Sequence, residues 1–495
     1  MPDLMPTTSR RFKRQLIDAM MVMILLPGAW PAHGQTADTG QASGHCLQTA
    51  QILDLAEYLA STGGAPDSYD RVAKAAFDSP LGHATQMTAF EENQSLVFAV
   101  AGMQSHESTA PDGRLGEKVT SWVRRLIILN ASTFIVDDEF DSPISPGMNV
   151  GCISSSMPPQ VSGGEAHMVE ASGEISSKIL FPNNVTFEVR RIGQGQAEES
   201  YLLGISPKDL SLGARFLQIL HVGTGSQAGG AIQSELTTAK GNWKLNVTDG
   251  DRVFRLILPP VAEGAGEITI ATLEGKTLVS SRPFPSGILP HGPEGNRLLE
   301  YWDSAYRHKA PAPWDIGRPA DELQKVVAGG KVGRCRVVDM CCGSGTDAIY
   351  LASQGFDVTA IDVSPTALGQ AQQKAHDANV SVRWVLADTL APPDLKPFDF
   401  LYDRACYHVV RKQNLAAYIE TARRFSHPGT HFLLLAARSD DLVPGGNWGV
   451  TEDELRSDFL TLFDIEWLRE ISLEINRQEI GPPAWSVFLK RKSTP

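Results

Sequence analysis

Two short apolar runs, each ending in an aspartate, carry the residues that could do chemistry. Arg336-Val337-Val338-Asp339 leads into Met340-Cys341-Cys342-Gly343-Ser344-Gly345-Thr346, and seventeen positions after Gly345 the run Val358-Thr359-Ala360-Ile361 ends at Asp362. Strand, glycine-containing turn, helix, strand and acid in that order form the layout of a nucleoside-binding βαβ unit. Gly343 and Gly345 let a ligand approach the backbone, and Asp362 is placed to accept from both ribose hydroxyls. Ala387-Asp388, after a third apolar run, can meet an adenine edge with a backbone N–H and a carboxylate. Taken singly, Asp362 or Asp388 reads equally well as a helix N-cap. At the ends of successive strands they point together to a cofactor.

A fourth run, Phe398 to Tyr402, is followed by Asp403, Arg404 and His408. These three are the catalytic candidates: Arg404 to hold an anionic acceptor, Asp403 or His408 to take a proton. An Asp-Arg ion pair beside a core histidine explains the same residues equally well.

Positioning these groups requires an alternating fold. Residues 297–495 read as a doubly wound, Rossmann-like α/β sheet: strands at 336–339, 357–362, 382–386, 398–402, 431–437 and 485–490, with helices at 347–354, 365–378 and 414–425 between them. Ligands of such sheets lie outside the carboxyl ends of the strands.

Tyr301-Trp302-Asp303, Pro311-Ala312-Pro313-Trp314-Asp315-Ile316-Gly317-Arg318-Pro319, the turn 339–346, Asp362-Val363-Ser364-Pro365, Ala387-Asp388 and Tyr402 to His408 together resemble the thiopurine, thiol, halide and tellurite methyltransferase superfamily. The resemblance implies S-adenosyl-L-methionine as cofactor, bound by Trp314, Asp339, Cys341, Gly343, Gly345, Asp362, Ala387 and Asp388. Trp314 would be an aromatic lid, with Trp302 and Tyr306 as pocket walls. Cys341 stands where such families have their first glycine, and a side chain there disfavours positive φ, so an altered turn or weakened affinity is expected. The resemblance implies a small-molecule acceptor with a soft nucleophile: a thiol, a selenium or tellurium oxyanion, or a halide. Transfer from a sulfonium is an in-line displacement, for which a protein supplies alignment and desolvation. No Asn-Pro-Pro-Tyr follows the fourth run, which argues against amino methylation of adenine or glutamine.

In the domain expected at 45–285, residues 85–285 read differently, as short alternating runs between Gly, Pro, Asn and Asp, the pattern of an all-β sandwich, with helical spacing at 47–61 to cap it. The expected fold class is therefore multidomain: a sandwich, a linker at 286–296, and the α/β half. Trp122 to Asp138, Gly173 to Asn184 and Arg215 to Leu220 resemble the hairpin and later strands of the C-terminal sandwich in heparinase II/III-like polysaccharide lyases. That implies a carbohydrate partner at the sandwich. In the family, lyase chemistry depends on a helical toroid ahead of the sandwich, and about fifty residues leave no room for one.

Residues 1–34 carry a net +2, 35–296 carry −12 and 297–495 carry −3, which make the formal −13. No basic stripe suits a nucleic acid. Arg10-Arg11-Phe12-Lys13-Arg14, the apolar run 19–27 and Ala32-His33-Gly34 form a signal-peptide pattern, too short to be a stable membrane anchor. Export or a periplasmic location is expected, with the cytoplasm, where the cofactor is made, as the alternative. Cys46 and Cys152 could pair in an oxidising compartment, and the scattered Cys and His residues suggest no metal site. A second reading is an exported, lyase-related carbohydrate-binding protein whose methyltransferase half is degenerate.

Overall fold

The structure is a computed structural model that describes residues 47–62, 69, 71–73, 86–93, 96–104, 121–140, 151–170, 173–192, 200–208, 215–223, 233–239, 242–260, 263–308, 310–439, 449–476 and 481–493. The expected signal, residues 1–34, lies outside them.

The first half is built from three sheets. Eight strands pair in the order Gln86–Asn93, Leu96–Gln104, Ser121–Leu129, Thr133–Phe140, Arg215–Gly223, Gly173–Phe181, Glu165–Glu170 and Gln160–Ser162. Leu47–Gln48, Gly151–Ser155, Ser200–Pro207 and Val185–Ile192 form a second sheet, and the five strands from Gln233 to Pro283 form a meander.

The hairpin Ser121–Leu129/Thr133–Phe140 shows why there are three layers and not the two of the expected sandwich. Leu126, Ile128, Phe134 and Val136 pack with Ile153, Leu203, Ile205 and the helix Thr49–Thr62. Ile127, Leu129 and Ile135 face the opposite core with Trp243, Leu245, Phe254 and Leu256 of the meander. Successive strand residues point to opposite faces, so an unbroken apolar run marks a sheet covered on both sides.

Charges inside this half are paired. Arg124 holds Asp138 at 2.7 Å, while Asp137 accepts from both Arg125 and Arg215 at 2.8 Å. The Arg215 guanidinium also lies 3.8 Å over the Trp243 ring.

The second half contains β1 (Arg336–Met340), β2 (Asp357–Asp362), β3 (Arg383–Leu386), β4 (Phe398–Arg404), β5 (Ser426–Ala437), β6 (Phe463–Ser472) and β7 (Pro483–Arg491). They pair in the order β3-β2-β1-β4-β5-β7-β6. The first five are parallel, and β7 runs antiparallel to β5 and β6. The helices are α1 (Gly292–Arg307), α2 (Asp321–Ala328), α3 (Thr346–Ser353), α4 (Pro365–Asp377), α5 (Tyr407–Phe425) and α6 (Glu452–Phe459).

The Pro- and Gly-rich segment between the halves is hydrogen-bonded on both sides. Ser286 N–H donates to the Leu386 carbonyl at the end of β3, Phe90 N–H donates to Gly287 and Leu289 N–H donates back to Phe90. From Gly292 the chain is already α1. Residues 286–296, expected as a linker, thus comprise a pinned connection and the start of a helix.

Candidate functional site

The turn after β1 keeps the geometry of a glycine turn despite Cys341. Cys341, Gly343 and Gly345 have φ of 58°, 56° and 79°. A left-handed non-glycine residue costs roughly 1–2 kcal/mol. The conformation is held by Cys342 N–H donating to the Ile361 carbonyl, by Gly343 N–H donating to Asp362 Oδ2 at 2.7 Å, and by a Cys341–Cys406 disulfide. The altered turn expected from Cys341 is therefore not found. Gly343 and Gly345 are required by space as well as by φ: a Cβ would sit 2.6 Å from the Tyr306 hydroxyl at the first and 2.5 Å from the Trp384 ring at the second.

Burial raises the carboxylates gathered here, and Asp339 also feels three of the others. Burial raises Asp362 to about 6, against the hydrogen bonds it accepts from Ser364 and Gly343 N–H. Asp339 is pushed well above the usual carboxylate range by burial and then by Asp347, Asp403 and Asp362, and its Oδ2 has no hydrogen-bond partner. Asp347 accepts from Ala320 N–H and the Tyr402 hydroxyl. Asp388, also raised by burial, caps Leu390 N–H, while the Ala387 N–H donates to the Asp362 carbonyl.

Residues 301–318 lie against this turn. Trp314 is half-buried, donates its indole N–H to the Tyr306 hydroxyl at 2.7 Å, and meets the Trp302 ring edge-on at 5.7 Å. Asp303 accepts from Ser364 Oγ, Thr366 N–H and Thr366 Oγ1 at the start of α4. Asp315 accepts from the Ser344 hydroxyl within the turn and lies 3.4 Å from Lys374 Nζ. Burial raises Asp315, but the Ser344 hydroxyl and Lys374 outweigh it and hold the carboxyl below its usual range.

At the end of β4 the three catalytic candidates are in contact with structural partners. Asp403 accepts from Cys406 N–H, Tyr407 N–H and the Tyr418 hydroxyl, and burial raises it to about 6. His408 is buried, accepts from Ala437 N–H at Nδ1, and is lowered to about 4 by burial and Lys412. Arg404 donates to the carbonyls of Trp314 and Glu474, tying 301–318 to the segment after β6. Neither an Asp403–Arg404 pair nor a proton shuttle is built.

The structure thus gathers Trp314, Asp339, Cys341, Gly343, Gly345 and Asp362 around one turn, with Ala387-Asp388 beside it at the end of β3. Sequence reasoning missed Asp303, Asp315, Asp347 and the Cys341–Cys406 pair. Two of these had a readable signal, since Asp303 and Asp315 are the acids of Tyr-Trp-Asp and Pro-Trp-Asp.

S-adenosylmethionine carries a sulfonium and an ammonium beside its own carboxylate, a net single positive charge, and buried Asp339 with its one unpartnered oxygen suits such a cation. A family profile described as a methyltransferase domain matches residues 337–429. The chain is 29% identical over 183 residues to the 2-heptyl-1-hydroxyquinolin-4(1H)-one methyltransferase of Mycobacteroides abscessus, covering 34% of this chain and 79% of that protein. It is 25% identical over 113 residues to the probable S-adenosyl-L-methionine-dependent methyltransferase TehB of Haemophilus influenzae, covering 23% of this chain and 40% of that one. It is 22% identical over 222 residues to the probable thiol methyltransferase 2 of Arabidopsis thaliana, covering 44% and 91%. Residues 337–429 carry a methyltransferase domain, the protein is an S-adenosylmethionine-dependent methyltransferase, and S-adenosyl-L-methionine is its cofactor.

Proposed function

We propose that this domain methylates a small, soft nucleophile that arrives already deprotonated: a thiolate, a selenium or tellurium oxyanion, or a halide. One observation carries the reading. Asp403 is committed to two backbone N–H groups and a tyrosine, and His408 titrates near 4, so neither is suited to take a proton from the acceptor at neutral pH. The cofactor supplies an activated methyl group for in-line displacement. When bound, its ribose hydroxyls would be held by Asp362, its ammonium by Asp339 and its adenine by Ala387 and Asp388, while Trp314 with Tyr306 would keep water away. The likeness to a probable thiol methyltransferase supports the same acceptor class.

The test is to incubate the full chain with S-adenosylmethionine and thiols of graded acidity, selenite, tellurite or iodide, and to measure S-adenosylhomocysteine. The expected pH profile follows the acceptor's own pKa. Turnover on alcohols or amines, or one profile shared by all thiols, would overturn the assignment.

For the first half we propose a non-catalytic, heparinase II/III-like module that binds carbohydrate in an exported protein. The strand order of the quoted hairpin and later strands supports the first part, and the disulfides at Cys152 and Cys341–Cys406 support export. Mass spectrometry of the mature protein is expected to find Gln35 at its N-terminus. An intact leader would sink the export reading.

A further inference from the structure

The Cys341–Cys406 bond joins residues 65 positions apart. In the order β3-β2-β1-β4-β5, the chain winds away from β1 in one direction and from β4 in the other. The crevice between the carboxyl ends of β1 and β4 is where such a sheet receives its ligand. Cys341 is the first residue after β1 and Cys406 the second after β4, with Cα atoms 5.9 Å apart. Each lies two or three residues from a buried carboxylate of the cofactor cluster, Asp339 or Asp403. Cys341 and Ala405 both have positive φ, 58° and 68°, so the backbone on each side of the crevice is bent into a conformation L residues rarely adopt. The bond places two β-carbons and two sulfurs between these strand ends.

We propose that Cys341 and Cys406 form a redox-modification site that sets cofactor affinity: the disulfide closes the methionine end of the crevice, and a thiol reductant opens it. This rests on the cofactor assignment and not on the acceptor class. A thiolate attacks Sγ of Cys341, which is half-buried and reachable, the S–S bond breaks, and Cys406 leaves as a thiolate. Cys406 is the N-cap of α5, where helix N–H groups favour a thiolate. A second thiolate attacks the mixed disulfide and frees Cys341. The two cysteines take up the protons given up by the two thiols, which leave oxidised as one disulfide. Cys342 does not exchange in their place, because burial, together with Asp362 and Asp339, pushes its thiol well above the usual range.

The experiment titrates S-adenosylmethionine and S-adenosylhomocysteine calorimetrically into the full chain, purified without reductant and again after phosphine reduction. Peptide mapping confirms the Cys341–Cys406 bond in the first sample. Reduction also opens the Cys152 disulfide, so Cys406→Ala without reductant isolates the site, and Cys341→Gly is the second variant should that one fold poorly. At least tenfold tighter binding is expected for the reduced protein, with both variants matching it and ignoring reductant. Equal or tighter binding by the oxidised protein, or variants that without reductant bind no tighter than the oxidised protein, would overturn the proposal. Absence of binding in every form would overturn the cofactor assignment and this proposal with it.

Discussion

Both halves of the molecule bury charge, and they treat it in opposite ways. In the first half, Asp137 is fully buried and receives two arginines, and Asp138 receives a third. Pairing does not erase burial, which still raises Asp138 against the pull of Arg124. In the second half, burial and then Asp347, Asp403 and Asp362 raise Asp339 against the pull of Arg404, and one Asp339 oxygen has no hydrogen-bond partner. A carboxylate that is answered by a cation holds strands together. A buried carboxylate with an oxygen left without a hydrogen-bond partner, as Asp339 has, leaves room for a cation from outside.

Removing a charge from each half is the strongest way to break this contrast. Asp137→Ala strands Arg125 and Arg215 without their anion and is expected to cost roughly 3–5 kcal/mol of stability by chemical denaturation. Cofactor affinity of the folded fraction should not change. Asp362→Ala should do the reverse in kind: at least roughly hundredfold weaker cofactor binding by calorimetry, from two lost hydrogen bonds to a charged acceptor at about 1.5–3 kcal/mol each. If Asp137→Ala weakened binding as much as Asp362→Ala does, the division of labour would be wrong.

The sequence showed the ligand half better than the scaffold half, for a physical reason. Strand Asp357–Asp362 was legible to the residue and β1 and β3 to within one, because a buried parallel strand is a continuous apolar run that ends where the ligand begins. Among the β-rich strands, the hairpin was legible as the stretch Trp122 to Asp138, within the observed 121–140, whereas Gly151–Ser155, Glu165–Glu170 and Ser200–Pro207 were not. These strands are short or carry serines and glycines, and their place depends on pairing with strands far away in sequence. The third sheet escaped for the same reason: nothing in Leu126-Ile127-Ile128-Leu129 says what covers each face. At the site, the acids were legible as strand ends. Their mutual proximity was not, nor was the bond from Cys341 to Cys406, since both depend on how strands 65 residues apart come together.

Acidity sharpens the contrast further. Asp362 and Asp403 titrate near 6 in the folded protein, above the ordinary 3.8, so the native state holds protons that the unfolded chain has released. Their contribution to stability is therefore fully present below about pH 4 and is lost as pH rises through about 6, by linkage. If Asp362 accepts the ribose hydroxyls as proposed, binding needs it ionised and affinity should run the other way, falling up to about tenfold per unit below pH 6. Thermal melts and calorimetric titrations over the same pH series would show the two trends crossing. Parallel trends would mean that the carboxylates are not waiting for a cation.

Asp315 offers the finest cut, because it lies in the ligand half yet is paired. The Ser344 hydroxyl and Lys374 hold its carboxyl below the usual range, the opposite of Asp362 two strand-ends away. By the rule that answered charges serve structure, Asp315→Ala should loosen residues 301–318 at a cost of about 1 kcal/mol and weaken binding only a few-fold, through faster dissociation. Trp314 fluorescence should report the loosening before any cofactor is added. Arg190→Ala, which breaks an exposed pair with Glu188 in the first half, is the control and should leave the melting temperature unchanged. A loss of affinity as large as that of Asp362→Ala would place Asp315 among the groups that touch the ligand and redraw the line between the two kinds of charge inside the second half itself.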